Sequence, residues 1–100
     1  MQFIIDKRVD IFVSTLSELD KGRILRYQDL FIRYQFTLAS KYLKKISANL
    51  WELRPGNIRL LFGKISAETY VIVHGFKKKT QKIPAREFHT AIARLKKKTA

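Results

Sequence analysis

The stretch Leu50-Trp51-Glu52-Leu53-Arg54-Pro55-Gly56-Asn57-Ile58-Arg59-Leu60-Leu61-Phe62 decides the fold. In an extended chain successive side chains alternate, so Trp51 and Leu53 point one way and Glu52 and Arg54 the other. Pro55-Gly56 is turn punctuation, because Pro fixes φ and Gly is free to take a positive one. Ile58 to Phe62 is then the return strand. With a two-residue loop centred on Pro55-Gly56, Glu52 faces Arg59, and Arg54 lies diagonal to Arg59 on the same face. Trp51, Leu53, Ile58, Leu60 and Phe62 line the opposite face, the natural core side. Two arginines and a glutamate are thereby expected on one sheet surface. Taken alone, the Glu52–Arg59 pairing reads as an ordinary cross-strand ion pair.

Toward the N-terminus, Met1–Ile5 reads as a short strand and Asp6 or Asp10 as a helix cap. Phe12, Leu16 and Leu19 recur at helical spacing, and Asp20-Lys21-Gly22 breaks the pattern, Gly22 suiting a left-handed C-terminal position. Ile24, Tyr27, Phe31, Tyr34 and Leu38 form a second helical stripe. Two helices with so short a link predict an antiparallel hairpin. Tyr42 to Ile46 reads as a loop with extended character. Toward the C-terminus, Thr69 to Phe76 is a uniform apolar run, which predicts a central strand covered on both faces. Pro84 opens a last helix, where its missing N–H costs nothing. Ala85, Phe88, Ile92 and Leu95 give that helix an apolar face. The fold class is α+β, a single domain over residues 1–100 in the order β-α-α-β-β-β-α. It is a helical hairpin on a small, mostly antiparallel sheet with a C-terminal helix.

Charge decides the partner class. Lys and Arg number 21 against 8 for Asp and Glu, a net +13. Such an excess repels itself in the compact state and calls for a polyanion, nucleic acid first and an acidic protein second. From Lys77 to Lys98 the chain carries nine basic residues and one acid, Glu87. No cysteine is present, and His74 and His89 lack metal-ligand spacing, so neither a metal site nor a cofactor is expected. No phosphate-binding glycine loop, nucleophile elbow or carboxylate pair occurs. No apolar run approaches a membrane span and no signal sequence is evident, so the expected address is the cytoplasm, without membrane contact.

Three motifs in order carry a family resemblance: Leu50-Trp51-Glu52-Leu53-Arg54, then Ile58-Arg59-Leu60-Leu61-Phe62, then Val73-His74-Gly75-Phe76-Lys77-Lys78-Lys79-Thr80-Gln81-Lys82-Ile83-Pro84. Together with Ala91-Ile92-Ala93-Arg94, this pattern resembles the HigB-like, phage-derived branch of the RelE/ParE toxin superfamily. It departs from it at Ile58, where the family often has Tyr, and in the short link Pro55-Gly56-Asn57. The resemblance implies the toxin of a type II toxin–antitoxin pair, an mRNA interferase that cuts messenger RNA in the ribosomal A site without metal. It also implies a HigA-like antitoxin partner with a helix-turn-helix domain. By motif position, Arg54 matches the basic residue before the turn and Arg59 the arginine that contacts the scissile phosphate. Lys77 and Lys78 fall where relatives carry a catalytic residue after the third strand.

RNA cleavage by 2′-hydroxyl attack needs a base, an acid for the leaving 5′-oxygen, and cations for the phosphoryl charge. Arg54 and Arg59 suit the last role, since a guanidinium forks two hydrogen bonds onto phosphate. Crowding by like charge disfavours the protonated form of a cation, which makes Lys77, Lys78 or Lys79 the expected proton carrier. Glu52 is a supporting residue that orients Arg59. Lys44, Lys45, Lys82, Lys96, Lys97 and Lys98 are the expected RNA-binding residues, the last three by diffuse attraction. His74 reads as a hydrogen-bonded core residue, His89 as surface and Trp51 as core. The rival readings are a ParE-like DNA gyrase poison, a non-catalytic basic nucleic-acid-binding module, and a degenerate toxin.

Overall fold

The computed structural model describes residues 1–99. The chain runs β1 (Gln2–Ile5), α1 (Lys7–Ser14), α2 (Glu18–Tyr34), a 3-10 turn (Gln35–Thr37), β2 (Leu43–Ser47), β3 (Leu50–Leu53), β4 (Ile58–Ser66), β5 (Thr69–Lys77) and α3 (Ala85–Thr99). The strands form one sheet in the order β1-β5-β4-β3-β2. β1 pairs with β5 in parallel, and every other pair is antiparallel. The fold is α+β, as expected, with one strand more than the sequence predicted. Leu43–Ser47, expected to be a loop, is an edge strand; its two consecutive lysines suit an edge that must not pair with another chain.

The two middle strands are apolar on both faces because helices cover both. Leu53, Ile58, Leu60, Phe62, Tyr70 and Ile72 pack against Val9, Leu16, Ile24 and Phe31 from the α1–α2 side. Leu61, Val71, Val73 and Phe76 pack against Ala91 and Leu95 of α3. Phe31 is fully buried, with Phe3, Phe36, Phe62 and Tyr70 around it at ring-centroid distances of 4.9–5.4 Å. The Trp51 ring joins this group, 4.9 Å from Phe36, so its expected core role holds.

The break between the first two helices falls earlier than expected. Ser17, not Gly22, marks it: its hydroxyl accepts from Asp20 N at 3.1 Å. Glu18 and Asp20 in the first turn then favour the positive end of the helix dipole. Gly22 lies inside α2, and Leu19 is 65% exposed rather than part of a buried stripe. α2 stops at Tyr34, short of Leu38, where Gln35 takes a positive φ of 49°. The side chain of Asp6 caps α1 by accepting from Arg8 N. In α3 the buried positions are Ala91 and Leu95, with Phe88 and Ile92 half-buried; Ala85 is exposed, against expectation.

The β3–β4 turn is also displaced by one residue. Ile58 N donates to the Pro55 carbonyl at 3.0 Å, so Gly56 and Asn57 are the central residues. Gly56 takes φ 59°. A positive φ at this position matches strand twist, which a turn led by Pro55 does not. The register is consequently Trp51 to Phe62, Glu52 to Leu61 and Leu53 to Leu60. Glu52 does not face Arg59, but a shift of two in the pairing preserves which face each side chain takes.

Candidate nucleic-acid interface

Glu52 is the anchor of the site. β2 and β4 flank it, with Lys44 its cross-strand partner on β2 and Leu61 on β4. Continuation of the β3–β4 register sets Arg54 opposite Arg59. Both guanidinium groups turn back on the same carboxylate oxygen: Arg54 Nε is 3.3 Å and Arg59 Nε 4.0 Å from Glu52 Oε1. Glu52 is 5% and Arg59 7% exposed, so water screens their charges poorly.

Backbone carbonyls hold the two arginines. Arg59 Nη1 donates to Gly56 O at 2.9 Å and Ile58 O at 2.8 Å, which ties it to the turn. Arg54 Nη1 donates to Ser40 O at 3.0 Å. Arg54 Nε is buried and has no hydrogen-bond partner, since its 3.3 Å approach to Glu52 is charge contact only. Burial pushes the Glu52 carboxyl above its ordinary value, against the opposing pull of Arg54, Arg59, Lys44 and Lys78. Burial likewise pushes Arg59 below its ordinary value, against Glu52.

The chain after β5 closes the cleft. Lys78 N donates to Asn57 O at 2.7 Å, which fixes the strand end against the turn. Lys78, Lys82, Lys44, Glu52, Arg54 and Arg59 line one cleft, with Ile46, Phe76 and Ile83 as its apolar wall. The cleft has about 30 Å³ of free space, so a large ligand group meets these charges at its mouth.

Not every expected residue belongs to it. Lys77 and Lys79 line a different concavity with Phe12, His74 and Glu87. Consecutive residues at a strand end alternate faces, and only the middle lysine of the run turns toward the arginines. Lys45 turns to the other sheet face, its Nζ 5.9 Å from the Trp51 ring centroid. Lys96, Lys97 and Lys98 end α3 away from the cleft, and Lys98 Nζ is 3.5 Å from Asp6 Oδ2. Among the described residues, no group of His, Asp and Glu is arranged to hold a metal. No helix there is long and apolar enough to cross a membrane.

A second polar group joins β5 to α3. His74 Nε2 is 3.0 Å from Glu87 Oε1, and Arg94 Nη1 is 3.2 Å from His74 Nδ1 and donates to Val73 O at 3.0 Å. Arginine only donates, so Nδ1 accepts and Nε2 carries the proton toward Glu87. His74 is the hydrogen-bonded residue the sequence suggested. Arg94 and Glu87 were not foreseen as its partners; their spacing of seven, two helical turns on one face of α3, is the signal that was available.

The family model described as Phage derived protein Gp49-like (DUF891) matches residues 12–96. No curated protein matches. Among solved structures, the chain is similar to one described as the crystal structure of an archaeal RelE-RelB complex from Pyrococcus horikoshii OT3. The TM-score is 0.67 at 18% identity, covering 81% of this chain and 97% of that one. At this identity the likeness is one of fold.

Proposed function

From the premise that the chain belongs to the phage-derived Gp49-like family, we propose that it is the RNA-cleaving toxin of a toxin–antitoxin pair. Its substrate on this reading is messenger RNA in the ribosomal A site, and its partner is a HigA-like antitoxin that covers the basic cleft. One observation carries the proposal: Arg54, Arg59 and Lys78 converge on a single cleft around one buried carboxylate. The RelE-like fold and the name of the RelE-RelB structure support the toxin and antitoxin roles. A gyrase poison or a simple binding module needs no such pre-set group, which is why cleavage is the favoured reading.

In the proposed reaction the 2′-oxygen attacks the adjacent phosphorus and the bond to the 5′-oxygen breaks. The products are a 2′,3′-cyclic phosphate and a free 5′-hydroxyl. The attacking hydroxyl gives its proton to a base and the leaving oxygen receives one from an acid. Arg54 and Arg59 stabilise the charge that builds on the phosphoryl oxygens. Arg54 Nε is buried against Glu52 Oε1, so the outer edge of the guanidinium group is the part that meets that charge. Lys78, beside both arginines, is the proton carrier. Glu52 orients the guanidinium groups, while Lys44 and Lys82 hold the flanking backbone. Lys77 and Lys79 have at most a supporting electrostatic part, being outside the cleft.

Brief induction followed by mapping of transcript 5′ ends tests the reading, with Arg59→Ala and Arg54→Ala compared after thermal unfolding establishes that each still folds. Cuts at codon spacing that need translation and vanish in the folded variants are the expected result. Intact transcripts with arrested replication would point to gyrase instead, and full cleavage by both variants would remove the arginines from the mechanism.

A further inference from the structure

A second basic concavity lies on the other side of the β3–β4 turn, about 400 Å³ in volume. Arg23 and Arg26 of α2 and Lys41 supply its charge, and Tyr27 and Tyr42 its rings. Gly56 forms part of its wall, and the Gly56 carbonyl is one of the two that accept from Arg59 Nη1. The turn is therefore a partition with the cleft on one side and this concavity on the other. Nothing in the cleavage chemistry uses these tyrosines.

Two rings and three cations meet in this concavity. The Tyr27 and Tyr42 rings are 5.3 Å apart and tilted by 57°. Both are half-buried, so each keeps surface toward solvent. Lys41 Nζ sits 4.9 Å from the Tyr42 ring centroid. Arg23 is 3.5 Å from Asp20, but Arg26 and Lys41 enter none of the ion pairs among the described residues. Unpaired cations beside half-buried aromatic rings match a single-stranded nucleotide: phosphate to the cations, base to the rings. An acidic peptide would use the charges and leave the rings idle.

We propose that this concavity is a nucleotide subsite that binds the RNA residue next to the scissile phosphate, with its base on Tyr27 and Tyr42 and its phosphate on Arg26 and Lys41. The choice of RNA as ligand rests on the cleavage reading. The strand crosses the Gly56–Asn57 turn from one hollow to the other. The hydrogen bond from Arg59 to Gly56 sets the distance between base and cleavage point.

The test is fluorescence anisotropy of the full chain with a short, labelled RNA methylated at every 2′-oxygen, which cannot be cut by this chemistry. The Arg26→Ala/Lys41→Ala variant should bind about tenfold more weakly. Its salt slope should fall by about 0.7, the value for the one phosphate of a single strand that the variant no longer neutralises. Tyr27→Leu, its folding checked by thermal unfolding, should lose about fivefold or more, and an abasic strand should not register the change. A native chain that fails to bind the strand, or equal binding by native and both variants, overturns the subsite. So does a double variant that loses affinity for the antitoxin alone. A chain that cuts no RNA yet binds through Tyr27 would overturn the cleavage reading and leave the subsite standing; a cutting chain indifferent to these substitutions would do the reverse.

Discussion

Glu52 Oε1 lies 3.3 Å from Arg54 Nε, in surroundings that leave the Glu52 side chain 6% exposed. Four cations favour ionisation of this carboxylate, yet desolvation outweighs them and its pKa rises above the ordinary 4.5. The folded chain therefore holds the proton more tightly than the unfolded one. Stability from protonated Glu52 is complete below pH 4.5 and is lost as pH rises through the folded value. Ionised, the group is a net cost to folding that the site retains.

That balance separates stability from activity. Glu52→Gln resembles the protonated acid, so at neutral pH it should match or exceed native stability, by up to about 1 kcal/mol. Its stability should also decline less as pH rises above 4.5. Cleavage should fall about tenfold or more, because the arginines lose the charge that orients them. Unfolding curves across pH, set beside a cleavage assay, check both halves; a destabilised variant with native cleavage would contradict them.

The lysine run should divide by face. Lys78→Ala should lower cleavage about tenfold or more, while Lys77→Ala and Lys79→Ala each change it by less than about threefold. Only Lys78 shares the cleft with Arg54 and Arg59; the other two line the hollow beside His74. A cleavage time course on the three purified variants decides it, and equal losses would mean that the run acts as diffuse charge.

What the sequence made legible was parity. Alternation put Glu52, Arg54 and Arg59 on one face and Trp51, Leu53 and Leu60 on the other, and parity survives the true register because the shift is even. The turn centre was not legible, since Pro55 and Gly56 are both turn formers and only strand twist prefers Gly56 to lead. Gly22 reads as a breaker, but the capping hydroxyl of Ser17 governs where α2 starts. β2 was hidden because an edge strand with one buried position carries little pattern. The cleft residues Lys44, Lys78 and Lys82 are three among many lysines in the sequence. Which lysines face the arginines follows from strand-end geometry and not from composition.

Gly22 offers a stabilising change away from the site. It lies within α2, and a Cβ placed there meets no atom within 4 Å. Glycine in a helix interior gives up more backbone freedom on folding than alanine does. Gly22→Ala should therefore raise stability by about 0.5–1 kcal/mol with cleavage unchanged. Chemical denaturation measures this directly, and a loss of stability would show that Gly22 serves a role in packing that the folded chain does not display.

Asp6 gives the opposite pH dependence from Glu52. It accepts from Arg8 N, Nε and Nη2 at 2.8–2.9 Å and faces Lys98 Nζ at 3.5 Å. These partners, the Arg8 side chain first, hold its carboxyl well below the usual carboxylate range in spite of burial. The unfolded chain binds the proton more readily, so the stability Asp6 contributes is present above pH 3.8 and lost as pH falls through the folded value. Asp6→Ala removes both cap and charge and should cost about 1–2 kcal/mol at neutral pH. Asp6→Asn keeps a capping oxygen and should cost less, isolating the charge, and its deficit should shrink as the solution is acidified. Urea unfolding of the three proteins at neutral and acidic pH measures the difference; a deficit in Asp6→Asn that stays constant with pH would mean that Arg8 and Lys98 contribute nothing through charge.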